Sequence, residues 1–410
     1  MSRTPSSNAR SAANTSVPLL DVHRQYDELR DDIRSAIDRV CDSGRFILGP
    51  ECTALEQEIA AYCHAAHTVG CASGSDALLL ALLALDIGPG DEVIVPSYTF
   101  FATASAVWRV GAKVVFAEID ADTFNVDAEH VASLVTPQTK AIIPVHLFGQ
   151  CADMHAINRI ARQFGLYVIE DACQAIGAEL DGKRAGSMSH IGTLSFYPTK
   201  NLGGFGDGGM LTTSDDAIAT RLRLIAAHGM SPRYYHRVVG INSRLDSLQA
   251  CVLRVKLPHL ERWTEARAAN AARYHELFAE RGLADAVRLP ATASGCRHVW
   301  NQFVIRIDET RRDALRQFLT DSGVGTEIYY PVPLHMQECF QPIGCREGSL
   351  PITERAARET IALPIFPELS AAEQRRVVDR IGEFFSSNAS RKLQTVEAAK
   401  PMRQMARRAS

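Results

Sequence analysis

Apolar side chains recur every three or four residues at Val22, Tyr26, Leu29, Ile33, Ile37 and Val40, and Ser43-Gly44 follows. That interval is one face of an α-helix, and a glycine just past the run is a stop signal. A second short helix is expected around Leu55, Ile59 and Tyr62. The pattern then changes to an alternation. Helical stretches at 76–85, 100–110, 128–134 and 154–164 each precede a short apolar run, at 92–96, 113–117, 140–145 and 166–170. Two further strands are expected near 192–196 and 209–213. Apolar strands alternating with helices describe an α/β domain whose parallel sheet is covered on both faces. After residue 215 longer helices take over, at 244–256 and 260–281. From His298 the strand WNQFVIRI, helix 311–322, strand GTEIYY and helix 371–385 predict a smaller α+β domain. The expected organisation is a leader over 1–16, a large domain over 17–256, a small domain over 257–387 and a basic tail over 388–410.

Composition narrows the class of protein. Of 410 residues, 46% are hydrophobic and 22% charged, as in ordinary globular chains. A net charge of -3 gives no footprint for nucleic-acid binding. The longest apolar stretch, 77–85, is too short to span a membrane. The ten cysteines form neither CxxC nor a zinc-type spacing with histidine. Scattered cysteines in a chain of this length imply free thiols in a reducing compartment, hence a cytoplasmic protein without a metal. The leader MSRTPSSNARSAANTS lacks the apolar core of a signal peptide.

Four segments carry candidate chemistry, each ambiguous alone. Ser73-Gly74-Ser75-Asp76 opens an apolar helix, where free N–H groups suit a phosphate; a simple N-cap is the bland reading. Asp171 ends an apolar strand, on the ligand side of an open α/β sheet; it could equally cap the next helix. Lys200 follows a strand within SFYPTKN and could be a surface lysine. The run GGFGDGG at 203–209 precedes a strand rather than a helix and lacks GK[ST], so it fits neither nucleotide loop. Together the segments match the three needs of pyridoxal 5'-phosphate (PLP): donors for its phosphate, a carboxylate for its ring nitrogen and a lysine for its aldehyde.

The motifs SGSDAL at 73–78, PSYTFFAT at 96–103, PVHLFGQ at 144–150, EDACQAIGA at 170–178, SFYPTKNLGGFGDGG at 195–209, GINSRLDSLQA at 240–250 and YYPVPLHMQ at 329–337 resemble the DegT/StrS family of nucleotide-sugar aminotransferases. The resemblance runs from Pro18 to Phe385. It implies PLP fold type I, with a mostly parallel seven-stranded sheet in the large domain. It implies Lys200 as the Schiff-base lysine, Asp171 as the partner of the pyridine nitrogen and Gln174 beside the ring hydroxyl. Gly74, Ser75 and Ser195 would contact the phosphate, and Phe100 would stack on the ring. Asn242 would reach the phosphate in the neighbouring subunit of a homodimer. His228, Tyr234, His298, Tyr330 and His335 are the substrate-side candidates, and each of the histidines could instead be structural; His146 would pack beside the cofactor.

The implied reaction moves an amino group from glutamate, leaving 2-oxoglutarate, to a keto group on a UDP- or dTDP-linked sugar, through the pyridoxamine phosphate form. The opening PLLDVHRQYDELRDDI and the segment FILGPE resemble members that aminate carbon 3; carbon 4 is the alternative. Related dehydratases carry histidine in place of the lysine, and a non-enzymatic regulator on this fold would be expected to lose Lys200 or Asp171. A nicotinamide-dependent enzyme would need an N-terminal GxGxxG that is absent.

Overall fold

The computed structural model describes residues 16–386; the expected basic tail and nearly all of the expected leader lie outside them. Seven strands form the main sheet: β1 His67–Cys71, β2 Glu92–Pro96, β3 Lys113–Ala117, β4 Thr139–Ile142, β5 Tyr167–Asp171, β6 Ile191–Ser195 and β7 Gly209–Thr213. Their order is β1-β7-β6-β5-β4-β2-β3. The run from β6 to β3 is parallel, and β7 lies antiparallel to both β6 and β1. The expected α/β class and mostly parallel sheet are therefore present. The alternation did not reveal β1. Its five residues, HTVGC, hold one glycine and two polar side chains and give little period-two signal.

Both faces of the sheet are buried, and successive side chains divide between them. Val93, Val95 and Ile169 enter a core with Leu78, Leu82 and Leu222. Ile94 and Val168 enter the opposite core with Leu55, Ile59 and Leu253. This two-sided burial explains why the strands read as continuous apolar runs. The helices are α1 Val22–Ser43, α2 Pro50–Cys63, α3 Gly74–Ala84, α4 Ala102–Arg109, α5 Ala128–Ser133, α6 Met154–Phe164, α7 Asp216–Ala226, α8 Ser247–Lys256 and α9 Leu260–Glu280. Most are capped by aspartate or serine side chains, with Asp21, Ser73, Asp127, Asp153, Asp215 and Asp246 each accepting a first-turn N–H.

A separate core lies C-terminal. It joins Tyr274 and Phe278 of α9, the antiparallel pair β8 Phe303–Arg306 and β9 Thr360–Leu363, and Val377 and Ile381 of a helix over 371–386. Val17 packs into this core, bridged to the backbone at Gly323 and Gly325, so the first described residues join the C-terminal layer rather than the sheet. The expected strand at 325–330 is reduced to one bridge between Glu327 and Ala362. Pro331 and Pro333 follow it and supply no N–H to extend the pairing. All ten cysteines are unbridged. Among the described residues no helix is long and apolar enough to cross a membrane.

Candidate functional site

The carboxyl ends of the central strands β5 and β6 meet the first turn of α3. Parallel strands leave such a crevice where their connections pass to opposite faces. A cleft of about 670 Å³ opens there, within the range of small-molecule sites. Gly74, Ser75, Phe100, Asp171, Gln174, Ser195, Lys200 and Tyr330 all line it. Eight residues scattered over more than half the chain thus line one cleft.

Asp171 is the last residue of β5 and is buried. Its Oδ2 accepts a 2.8 Å hydrogen bond from the Thr103 hydroxyl, and its Oδ1 accepts one of 3.2 Å from the Cys173 N–H. Both donors fix the orientation of the carboxylate. Thr103, fully buried in α4, was not singled out in the sequence, although PSYTFFAT contains it. A threonine on an apolar helix gives no sign of its partner 68 positions away. Hydrogen bonds to charged groups contribute about 1.5–3 kcal/mol. Thr103→Val should therefore lower kcat/KM by roughly 10- to 100-fold with little change in fold, as steady-state kinetics alongside circular dichroism would show.

Lys200 projects from the segment after β6. Part of the residue is reached from the cleft, yet burial lowers its pKa, partly offset by the charge of Asp171. A lowered pKa raises the fraction of free amine, the form able to act as a nucleophile or base. Gln174 is fixed at both ends. Its Oε1 accepts from Phe148 N at 2.7 Å, and its Nε2 donates to the Tyr330 hydroxyl at 2.9 Å. Burial raises the Tyr330 pKa, so its phenol stays protonated and can still donate into the cleft.

The fit to PLP can be tested at the first turn of α3. A Cβ on Gly74 would lie 2.7 Å from Ser195 Cβ and 2.9 Å from Cys173 Sγ, so only glycine lets this turn sit against β6. Ser73 caps the helix through Asp76 N–H, while Ser75 and Ser195 bring hydroxyls to the cleft beside it. A helix start with hydroxyls alongside suits a phosphate, and a carboxylate and an amine complete the set. The residues present fit the cofactor.

The other expected site residues lie elsewhere. His298 is buried and does not line the cleft; it stacks on Trp300 at 3.8 Å, with Nδ1 accepting the Trp300 N–H at 2.9 Å. Burial depresses its pKa to about 3. As pH falls below about 6.5 the unfolded chain takes a proton that folded His298 refuses, so stability falls by about 1.36 kcal/mol per pH unit until about pH 3. His298→Asn should make that acid dependence shallower by one proton, read from urea unfolding between pH 7 and pH 4. His335 is held between the Ser97 hydroxyl at 2.7 Å and Glu354 at 3.2 Å. His146 pairs with Glu170 at 2.9 Å, both fully buried, and is not part of the cleft wall. His228, Tyr234 and Asn242 are exposed and do not line the cleft of their own chain. Besides Thr103, the sequence missed Asn301, Gln302, Glu327 and Tyr329, which line the cleft from the C-terminal layer.

The arrangement has known counterparts. A family model described as the DegT/DnrJ/EryC1/StrS aminotransferase family matches residues 27–382. The chain belongs to this family. As a DegT/DnrJ/EryC1/StrS member it is an aminotransferase that depends on pyridoxal phosphate. It is 52% identical over 369 residues to a "Pleiotropic regulatory protein" of Geobacillus stearothermophilus, covering 90% of this chain and 98% of that one. It is 46% identical over 368 residues to "dTDP-3-amino-3,4,6-trideoxy-alpha-D-glucose transaminase" of Streptomyces venezuelae, covering 90% and 96%. It is 44% identical over 364 residues to "UDP-N-acetyl-3-dehydro-alpha-D-glucosamine 3-aminotranferase" of Acidithiobacillus ferrooxidans, covering 89% and 96%. Among solved structures, S. venezuelae DesV in complex with a ketimine intermediate superposes with a TM-score of 0.87 at 46% identity, covering 90% of this chain and 98% of that one. The NtdA protein of Bacillus subtilis, with bound cofactor PMP, gives 0.83 at 34% identity, covering 91% and 86%.

Proposed function

We propose that the protein transfers an amino group from glutamate to a keto group at carbon 3 of a UDP- or dTDP-linked sugar, with Lys200 and Asp171 carrying the chemistry. The observation that carries this reading is the convergence of Asp171, Lys200 and the open first turn of α3 in one cleft. PLP, when bound, supplies an electron-withdrawing ring that acidifies the Cα–H of an attached amine. The N–H groups at the start of α3 that the Ser73 cap leaves free, with the hydroxyls of Ser75 and Ser195, would hold the phosphate. Asp171, oriented by Thr103, would hold a proton on the ring nitrogen. Gln174 and Tyr330, bonded to each other in the cleft wall, would hold the ring hydroxyl, and Phe100 would pack against the ring. Lys200 takes the proton from the donor Cα and later returns one to the sugar carbon.

The choice of carbon 3 rests on the opening segments of the chain and on relatives whose names specify a 3-amino product or a 3-aminotransferase. A homodimer with shared sites accounts for Asn242, His228 and Tyr234. They are exposed outside their own cleft, on a segment where Tyr234 is 74% and Val239 98% accessible. A partner's cleft would give these side chains a role.

The test has two stages. Glutamate should convert the visible absorbance of the bound cofactor to that of its amine form. A panel of 3-keto and 4-keto nucleotide sugars, read by mass spectrometry, should then give a mass gain consistent with amine-for-oxygen exchange for 3-keto members. Turnover of 4-keto members alone moves the reaction to carbon 4. The regulatory name of one relative favours a second reading, a non-enzymatic regulator. Retention of Lys200 and Asp171 weighs against it, and DNA binding in a gel shift without any response to glutamate would establish it.

A further inference from the structure

We propose that Lys256 is a positioning residue for Lys200, gripping the closure point of the loop that carries the amine. The loop leaves β6 at Phe196 and returns at Gly204, whose N–H donates to Phe196 O at 2.8 Å. Lys200 sits in the middle of it. At the closure the chain folds hard against itself, for a Cβ on Gly203 would lie 2.4 Å from Pro198 O. Any shift of Gly203 is therefore passed to Pro198, two residues before Lys200.

Two side chains of α8 hold this closure. Lys256 Nζ donates to Gly203 O at 2.7 Å, and Gln249 Oε1 accepts the Phe205 N–H at 2.8 Å. The Lys256 ammonium also lies 5.3 Å from the centre of the Phe205 ring, which packs edge-on against Tyr26 of α1. Only 4% of Lys256 is accessible, and Glu368 acts on it through charge alone. Burial depresses its pKa to about 8, so the folded state bears an energetic cost to keep this ammonium charged near neutral pH. An apolar side chain of similar length would avoid that cost. What methionine could not supply is the grip on the Gly203 carbonyl. Misplacement of a reacting group by about 1 Å can cost 10²-fold in rate, which is the scale on which such a grip matters.

The inference rests on Lys200 being the amine that engages the cofactor, and that reading is tested separately by loss of the cofactor absorbance in Lys200→Ala. For Lys256 the variant is Lys256→Met, examined as the full chain with and without PLP. The expected result has three parts. The thermal midpoint of the cofactor-free chain is unchanged or raised. Hydrogen exchange speeds up at residues 203–205 while the sheet keeps its protection. The glutamate-driven absorbance change slows by 10- to 100-fold in maximal rate, with the glutamate concentration for half-maximal rate nearly unchanged. Gln249→Leu, which removes the second grip, should give the same signature to a smaller degree and serves if Lys256→Met does not fold. A wild-type rate in either variant overturns the proposal. So does a lowered midpoint with protection lost evenly across the chain, which makes Lys256 a structural residue only.

Discussion

Replacing Lys200 with alanine is expected to abolish amino transfer, with a fall of at least about 10⁴-fold in the glutamate half-reaction. General acid–base catalysis alone contributes roughly 10²–10⁴-fold, and in the proposed reaction this lysine is also the amine that would bond the cofactor aldehyde. The burial that lowers its pKa leaves more of the free amine near neutral pH than an exposed lysine would hold. Among the described residues no other lysine lines the cleft. The visible absorbance of the reconstituted protein should be lost in Lys200→Ala and kept in Lys183→Ala, an exposed control. A Lys200→Ala protein that still responds to glutamate at a comparable rate would sink the assignment. Methylamine added to the variant should restore part of the proton transfer, because it replaces the missing base without restoring the tether.

Asp171→Asn is expected to lower the rate by roughly 10²–10³-fold while leaving the fold intact. A carboxylate about 4 Å from a pyridinium contributes roughly 4 kcal/mol at an effective dielectric of about 20. That energy is about three pKa units on the ring nitrogen, enough to keep it protonated at neutral pH. The amide is close in size and keeps a carbonyl oxygen for the Thr103 hydroxyl, so packing is preserved and charge is removed. The measurement is kcat for the glutamate half-reaction together with cofactor affinity. A loss confined to affinity, with kcat unchanged, would make Asp171 an anchor rather than an electronic partner. Thr103→Val should move the same quantities in the same direction by less, since it weakens the carboxylate's support without removing its charge.

Much of the site was legible before the structure because its parts sit at element boundaries, where sequence speaks most clearly. Asp171 ends an apolar strand, Gly74 opens an apolar helix and Lys200 follows another strand. Boundaries are marked by changes of pattern, and the crevice of a parallel sheet lies at those boundaries. Histidines were less legible. His298 and His335 lie close in sequence to cleft residues, yet His298 Nδ1 is taken by the Trp300 N–H and the two ring nitrogens of His335 by Ser97 and Glu354. Which way a ring turns at the edge of a wall depends on packing, and packing has no signature in a single chain. The same holds for Lys256, which reads as the last basic residue of an amphipathic helix and is almost fully buried against Gly203.

The sequence by itself determined the class of sheet, the two-sided burial of its strands and the placing of a helix-opening turn, a strand-end carboxylate and a lysine at element boundaries. These follow from local periodicity and from the order of residues along the chain. The tertiary structure decided what supports that trio. It paired Thr103 with Asp171, set Tyr330 on Gln174 and brought Asn301, Gln302 and Tyr329 into the cleft from the C-terminal layer. It also placed Asn242 and Tyr234 away from their own cleft. The physical reason is the range of the interactions. Strands and helix starts are written in neighbouring residues, whereas a hydrogen bond between positions 103 and 171 exists only after β5 has docked beside the helix that carries the donor.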